Sequence, residues 1–252
     1  MKTIEELDRE IQLDSNNAEL YRLRGCEHYK KKDYDSAMKD FEQAIQINPS
    51  FARAYVNRGL MFEVTNAPDR AVADYSKAIQ IDPKFTEAYI NRGCMCSDSG
   101  AAYTFAENDV EKGFSFFNLA IADFNQAINI DSSNAMIFVY RAMAYRGIKD
   151  YDKAIMDFDQ AININPNFSE AYRLRGDIYR SKKDFDRALA DFSQALQFDP
   201  KNENAFSSRA LLFYTNGDYA KAITDWEAIL QINPNNSSVE MDIKMAKMKM
   251  GN

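Results

Sequence analysis

The sequence predicts an all-α fold built from one repeated helix–turn–helix unit, and three features of the chain predict it. The motif YRLRG occurs at 21–25 and again at 172–176, with flanks that also agree. A second recurring run, seen in AMKDFEQAIQINP and AIMDFDQAININP, places apolar residues three and four apart, which is helical spacing. Turn signals such as KKDYD and TNGDY lie between the two kinds of run.

The first helix of each unit sets the period. Motifs related to YRLRG begin at Tyr21, Tyr55, Tyr89, Phe138, Tyr172 and Phe206. Every step is 34 residues except the step from Tyr89 to Phe138, which is 49 and so holds 15 extra residues. We expect one domain of about fourteen helices over 1–252, with a degenerate helix at 1–17 and a capping helix at 237–252. The predicted repeats are 18–51, 52–85, 86–134, 135–168, 169–202 and 203–236.

The second helix of each unit ends in Asn or Asp, usually followed by Pro. A residue before proline avoids the α region, so the helix is expected to stop there. Small residues recur in both helices, which predicts close packing within and between units. Large aromatic residues fill the space between units, and they are Phe41, Tyr75, Phe124, Phe158, Phe192 and Trp226.

Two charged residues recur in all six units. An arginine precedes the small residue of the first helix, at Arg24, Arg58, Arg92, Arg141, Arg175 and Arg209. An aspartate precedes the aromatic residue of the second helix, at Asp40, Asp74, Asp123, Asp157, Asp191 and Asp225. We interpret the two series as ion pairs between helices, and the alternative is a row of arginines that binds a ligand.

This pattern resembles the tetratricopeptide repeat (TPR), a 34-residue helix–turn–helix with W-x2-L-G-x2-Y in its first helix and A-x3-F and a late Pro in its second. Six copies in register carry the resemblance. It implies a right-handed superhelical solenoid of antiparallel helix pairs. It also implies a concave groove, lined by the first helices, that binds an extended peptide or a helix of a partner protein.

The groove positions that follow from this resemblance have mixed chemistry. Asn57 and Asn91 occupy the position where some family members grip a peptide backbone with asparagine side chains. Leu60 and Met143 offer apolar contacts, and arginines can bind carboxylates. The predicted partner-binding residues are Arg22, Asn57, Leu60, Asn91, Tyr140, Met143, Arg146, Arg173, Arg180, Leu211 and Tyr214. The hypothesis is a non-enzymatic scaffold or adaptor with a protein or peptide partner.

The 15 extra residues lie within 98–117, in the third repeat. Their aromatic residues either pack on the insertion itself or form a contact surface, because exposed apolar loops often mark contacts. The second choice gives an alternative function, a self-assembling structural module that uses this insertion or the terminal helices to form a homo-oligomer. The aromatic residues concerned are Tyr103, Phe105, Phe114 and Phe116.

Composition limits the kinds of partner and the cellular location that the protein can have. The chain has 252 residues, a net charge of −7 and 27% charged residues, which argues against a nucleic-acid partner and against membrane insertion. The N-terminal residues do not read as a secretory signal, and three cysteines without scaffold spacing are expected to be reduced. We therefore expect a cytoplasmic protein.

The residues that carry chemistry do not form a recognisable catalytic set. The one histidine, His28, occupies a position that holds Phe62 or Tyr145 in other repeats, so we interpret it as a packing residue. Cys94 and Cys96 are two apart on a helix and form a poor chelate. The sequence predicts no enzyme activity, no cofactor and no metal site.

Overall fold

The computed structural model describes residues 2–251 and confirms the all-α prediction. Fourteen α-helices and one π-helical turn form the described part of the chain. Their contacts divide it into an N-terminal unit, which ends at Ser132, and a C-terminal unit, which begins at Ser133. The expectation of a single domain over 1–252 stays a prediction.

The N-terminal unit consists of one leading helix and three helix pairs. Within a pair the two helices pack together, and the second helices of the first two pairs also pack on the first helix of the next pair. The π-helical turn Ala102–Ala106 follows α6. The helices are α1 (Ile4–Leu13), α2 (Ala18–Lys30), α3 (Tyr34–Ile47), α4 (Ala52–Val64), α5 (Pro68–Ile81), α6 (Thr86–Ala101) and α7 (Val110–Ile130).

The C-terminal unit consists of three helix pairs and one closing helix. Val239, Ile243 and Ala246 of the closing helix are buried in one core cluster with Trp226 and Ile229, so this helix covers the apolar side of the last pair. The helices are α8 (Ala135–Gly147), α9 (Tyr151–Ile164), α10 (Ser169–Ser181), α11 (Phe185–Phe198), α12 (Glu203–Thr215), α13 (Tyr219–Ile232) and α14 (Ser237–Met250).

The turns inside the pairs explain the recurring signal KKDYD. One turn residue adopts a positive φ of 56–81°, and it is Lys32, Asn66, Lys149, Lys183 or Gly217. In four of these turns the next residue is an aspartate whose carboxylate accepts a hydrogen bond from a backbone N–H three residues later, which caps the second helix. These caps are Asp33, Asp150, Asp184 and Asp218.

Close packing inside the pairs depends on the small residue of the first helix. A Cβ atom added at Gly25 would lie 2.7 Å from Cε1 of Phe41, and one added at Gly59 would lie 2.5 Å from Cε1 of Tyr75. Gly176 has the same relation to Phe192. Since these rings are buried, the aromatic residue of the second helix rests directly on the backbone of the first helix.

Each pair is also joined by the ion pair that the recurring charges predict. In every pair the arginine Nε and Nη2 atoms donate to both carboxylate oxygens of the aspartate 16 or 31 residues later, over 2.6–2.9 Å. The six aspartates are only 4–6% exposed. Such two-point contacts fix the relative position of two planar groups, so the ion-pair interpretation is confirmed for all six pairs.

Most of these arginines also bond a side chain on the helix that comes before their own pair. That helix is the second helix of the previous pair or, for the first pair, the leading helix α1. Nη1 of Arg24 lies 2.7 Å from a carboxylate oxygen of Asp8, and Nη1 of Arg175 bonds Asp159. In the same position Arg92 bonds the hydroxyl of Ser76. One guanidinium therefore links three helices, two within a pair and one before it.

The buried ion pair of the fifth repeat should contribute far more stability than the exposed contact of the same arginine. The side chain of Asp191 is 8% exposed and that of Asp159 is 49% exposed, yet both bond Arg175. We expect Asp191→Asn to cost about 2 kcal/mol of unfolding free energy, because it leaves a buried guanidinium partly unpaired. The matched change Asp159→Asn should cost about 0–1 kcal/mol.

Urea denaturation followed by circular dichroism measures both losses. Equal losses for the two variants would contradict this role of burial.

Candidate functional site

An apolar cavity of about 280 Å³ lies between the first helices α2 and α4 of the N-terminal unit. Its exposed walls are almost entirely apolar, and the ring of Phe41 from α3 forms part of them. Leu60, a predicted partner-binding residue, is among the lining residues. We call this the α2/α4 cavity, and it is lined by Cys26, Tyr29, Lys30, Phe41, Asn57 and Leu60.

Asn57 is held in a fixed orientation beside this cavity. Its Nδ2 atom donates a hydrogen bond to Sγ of Cys26 over 2.9 Å, which links α4 to α2. The amide oxygen Oδ1 can still accept a hydrogen bond from a partner. Asn91, the other predicted asparagine, is half-buried on α6. Asn57 and Leu60, two of the predicted partner-binding residues, therefore both line the α2/α4 cavity.

Arg22 lies near the same cavity but is already bonded within its own helix. Its Nε and Nη2 atoms donate to both carboxylate oxygens of Glu19 over 2.6–2.7 Å, and Nη1 lies 3.5 Å from Sγ of Cys26. A partner carboxylate would have to compete with Glu19 for this guanidinium.

The next space along the N-terminal unit, between α4 and α6, has different chemistry. The hydroxyl of Tyr75 donates a hydrogen bond to the carboxylate of Glu63. Burial raises the pKa of Glu63, and the charge of Asp98 on α6 adds to this rise while the Tyr75 bond opposes it. Partial desolvation also raises the pKa of Asp98. Two carboxylates thus share this space.

In the C-terminal unit two predicted arginines converge on one aspartate. Asp177 lies 2.8 Å from Nη1 of Arg173 and 3.2 Å from Nη2 of Arg180, and it accepts a hydrogen bond from the hydroxyl of Ser208 on α12. Arg173 also pairs with Glu170. These contacts brace α10 against α12, so the two arginines have intramolecular roles, and their partner-binding role stays a prediction.

The other predicted groove residues of the C-terminal unit differ in exposure. Met143, Arg146 and Leu211 are exposed, and Tyr140 is half-buried. Tyr214 packs against the rings of Tyr219 and Trp226, with centroids 5.3 and 5.7 Å away, so it belongs largely to the core of the last pair.

The insertion packs mostly on itself, as one of the two interpretations predicted. The ring of Tyr103 stacks on that of Phe116 with centroids 5.3 Å apart, and Phe117 is buried. Phe114 is half-buried, whereas Phe105 is 80% exposed. Of the four aromatic residues proposed for contact, Phe105 is thus the one that the insertion leaves uncovered.

Several residues at the α2/α4 cavity and between α4 and α6 are not among the predicted partner-binding residues. Lys30 and Phe41 line the α2/α4 cavity, and Tyr75 and Asp98 complete the space between α4 and α6. The signal for Tyr75 was its hydroxyl, since four of the six repeats have phenylalanine at that position. Asp98 had no such signal, because it falls where the insertion disturbs the repeat register.

The described residues contain no cluster of three or more histidine, cysteine or acidic side chains able to hold a metal ion. His28 packs beside Asp33 and Asp40, with Nδ1 3.2 Å and Nε2 3.9 Å from their carboxylates. Across residues 2–251, none of the helices has the length and apolar character that crossing a membrane requires.

Family models for the tetratricopeptide repeat match most of the chain. One matches 18–51, 52–85 and 135–168, and others match 158–190 and 204–236. A further model, described as a TPR repeat, matches 176–217. The chain belongs to the tetratricopeptide repeat family. The ranges matched do not include 86–134, so the third repeat and its insertion stay predictions from the sequence.

Solved TPR structures share this fold at low sequence identity. A chain of the Cut9–Hcn1 hetero-tetramer of the APC/C is 17% identical with a TM-score of 0.71, over 95% of this chain and 45% of that one. The C-terminal part of a TPR repeat-containing protein from Cytophaga hutchinsonii is 20% identical with a TM-score of 0.69, over 95% and 93%.

YrrB, described as a TPR protein with an unusual peptide-binding site, is 22% identical with a TM-score of 0.56, over 82% and 97%. No match was found among curated protein sequences. At these identities the likeness extends to the fold alone.

The thiols of this TPR protein should react slowly in the folded state. Burial raises the pKa of Cys94 to about 12 and that of Cys96 to about 11, so almost no thiolate exists at pH 8. Burial also raises the pKa of Cys26. With Ellman's reagent at pH 8, we expect Cys94 and Cys96 to react roughly a hundredfold slower than a free thiol.

The same reaction in concentrated guanidinium serves as the control, because all three thiols should then react at once. Rapid reaction of more than one thiol in the folded protein would contradict this account.

Proposed function

We propose that this TPR protein is a non-enzymatic scaffold that binds an extended segment of a partner protein along the first helices of its N-terminal unit. The α2/α4 cavity carries the proposal, because it is an apolar recess with one oriented amide beside it. Such a recess suits one large side chain of a partner, and Asn57 Oδ1 can accept a hydrogen bond from the backbone next to that side chain.

The alternative role for the recurring arginines, ligand binding, is not available to them. All six guanidinium groups donate to buried aspartates, so they are occupied by the fold. Recognition therefore falls to other positions of the first helices. The described residues include no catalytic set that supports an enzymatic role. A cytoplasmic location and reduced cysteines stay predictions from the sequence.

A peptide selection tests the binding proposal. Random 12-residue peptides displayed on phage are selected on the wild-type protein, and the enriched peptides are measured by fluorescence polarisation. We expect Leu60→Lys to weaken their binding at least tenfold, because a charged side chain would enter the apolar cavity.

The matched control is Leu119→Lys, the same change at an exposed leucine of α7 in the same unit. It should leave the affinity within about twofold of the wild type. The proposal is wrong if no peptide is enriched, or if the two variants bind the enriched peptides equally.

One observation favours self-association as a second function. On α14, Met241, Met245 and Met248 are four and three residues apart, lie on one face, and are 44–65% exposed. The opposite face, with Ile243, is buried against the last pair. The exposed methionine stripe is thus an adaptable apolar surface without a partner among the described residues.

The charges of α14 fit a second copy of the same helix. Its first half carries Glu240 and Asp242, and its second half carries Lys244, Lys247 and Lys249. In an antiparallel pair of α14 helices, the acidic half of one copy faces the basic half of the other.

Sedimentation velocity over a concentration series measures this self-association. The wild type should sediment faster as concentration rises, and Met245→Glu should weaken the association by roughly tenfold. Met156→Glu, at an exposed methionine of α9, is the control and should behave as the wild type. A wild type that stays monomeric at every concentration rules this function out.

A further inference from the structure

The two spaces between the first helices of the N-terminal unit occupy the same place in successive repeats. Tyr29 and Phe41 border the α2/α4 cavity, and 34 residues later Glu63 and Tyr75 border the space between α4 and α6. The first space is apolar and open. In the second space, the hydroxyl of Tyr75 lies at the position of Phe41, and the carboxylate of Glu63 lies at the position of Tyr29.

The second space holds two carboxylates, Glu63 on α4 and Asp98 on α6. Glu63 accepts a hydrogen bond from Tyr75, and neither Glu63 nor Asp98 forms an ion pair with a lysine or arginine of the described residues. Asp98 is exposed, so this negative charge can be reached from solvent. In the C-terminal unit the positions equivalent to Glu63 hold Arg146, Arg180 and Tyr214, so none of them supplies a carboxylate there.

Distance fixes how one partner could use both spaces. Packed helices lie roughly 8–10 Å apart. A segment in the polyproline II conformation advances about 3.1 Å per residue and has three residues per turn, so side chains three residues apart lie on the same side. Such a segment crosses α4 with about three residues between one space and the next.

We propose that the N-terminal unit selects an extended segment with a large aliphatic residue and, three residues from it, a lysine or arginine. The aliphatic side chain fills the α2/α4 cavity, and the cation binds between Glu63 and Asp98. This inference rests on the proposed function, and it adds the chemistry of the partner. The complementary charge is what singles out a basic segment over other occupants of the groove.

The peptides enriched on the wild-type protein test this directly. We expect Lys or Arg to be over-represented three residues from Leu, Ile or Met. The double variant Glu63→Gln/Asp98→Asn should bind these peptides about tenfold more weakly than the wild type. The control Asp69→Asn/Glu111→Gln removes the same two charges from exposed sites of the same unit and should change the affinity by less than twofold.

A peptide-side change completes the cycle and does not depend on the folding of any variant. Replacing the basic residue of an enriched peptide by Gln should weaken its binding to the wild type about tenfold. The same replacement should have little further effect on the double variant, because the pairing is already lost.

The outcomes separate the two proposals. Enriched peptides without a basic residue at this spacing, or equal binding by wild type and double variant, overturn this inference and leave the scaffold function standing. If the wild type enriches no peptide, both proposals are wrong.

Discussion

The buried arginine–aspartate ion pair inside each helix pair is the contact on which the rest of the structure depends. It joins the middle of the first helix to the middle of the second, next to the place where a small residue meets an aromatic ring. Because the aspartate is buried, its charge is tolerated only while the guanidinium donates to both of its oxygens. The apolar contact supplies most of the attraction, and the ion pair fixes the register in which the helices meet.

This arrangement also determines which residues remain for recognition. The arginines point between helices, and most of them reach back to the helix before them, so they are part of the scaffold. Positions on the first helices that lie outside this contact are free to vary between repeats. Cys26, Leu60 and Cys94 share one such position, and Tyr29 and Glu63 share another. Repeats with a common framework can therefore offer an apolar recess in one place and two carboxylates in the next.

The framework could be predicted from the sequence because its residue pattern recurs six times along the chain. The arginine and aspartate series appear in all six copies, and the 34-residue period and the turn residues appear in most of them. The helix pairs confirm these elements. The candidate site was harder to predict, because it depends on single residues that differ from the repeat pattern. Tyr75 in place of phenylalanine brings a hydroxyl to Glu63, and the insertion displaces the register around Asp98. Neighbouring charges such as Glu19 beside Arg22 change what a groove arginine can do, and periodicity does not reveal them.

The account holds that the faces of α2, α4 and α6 outside the framework contacts receive a partner segment. A crystal structure of the protein with a peptide enriched by selection is the most direct measurement of this claim. We expect an aliphatic side chain of the peptide beside Leu60 and Phe41, and a backbone N–H of the peptide within hydrogen-bond distance of Asn57 Oδ1. A peptide bound instead to the second helices, or to α14, would contradict the claim.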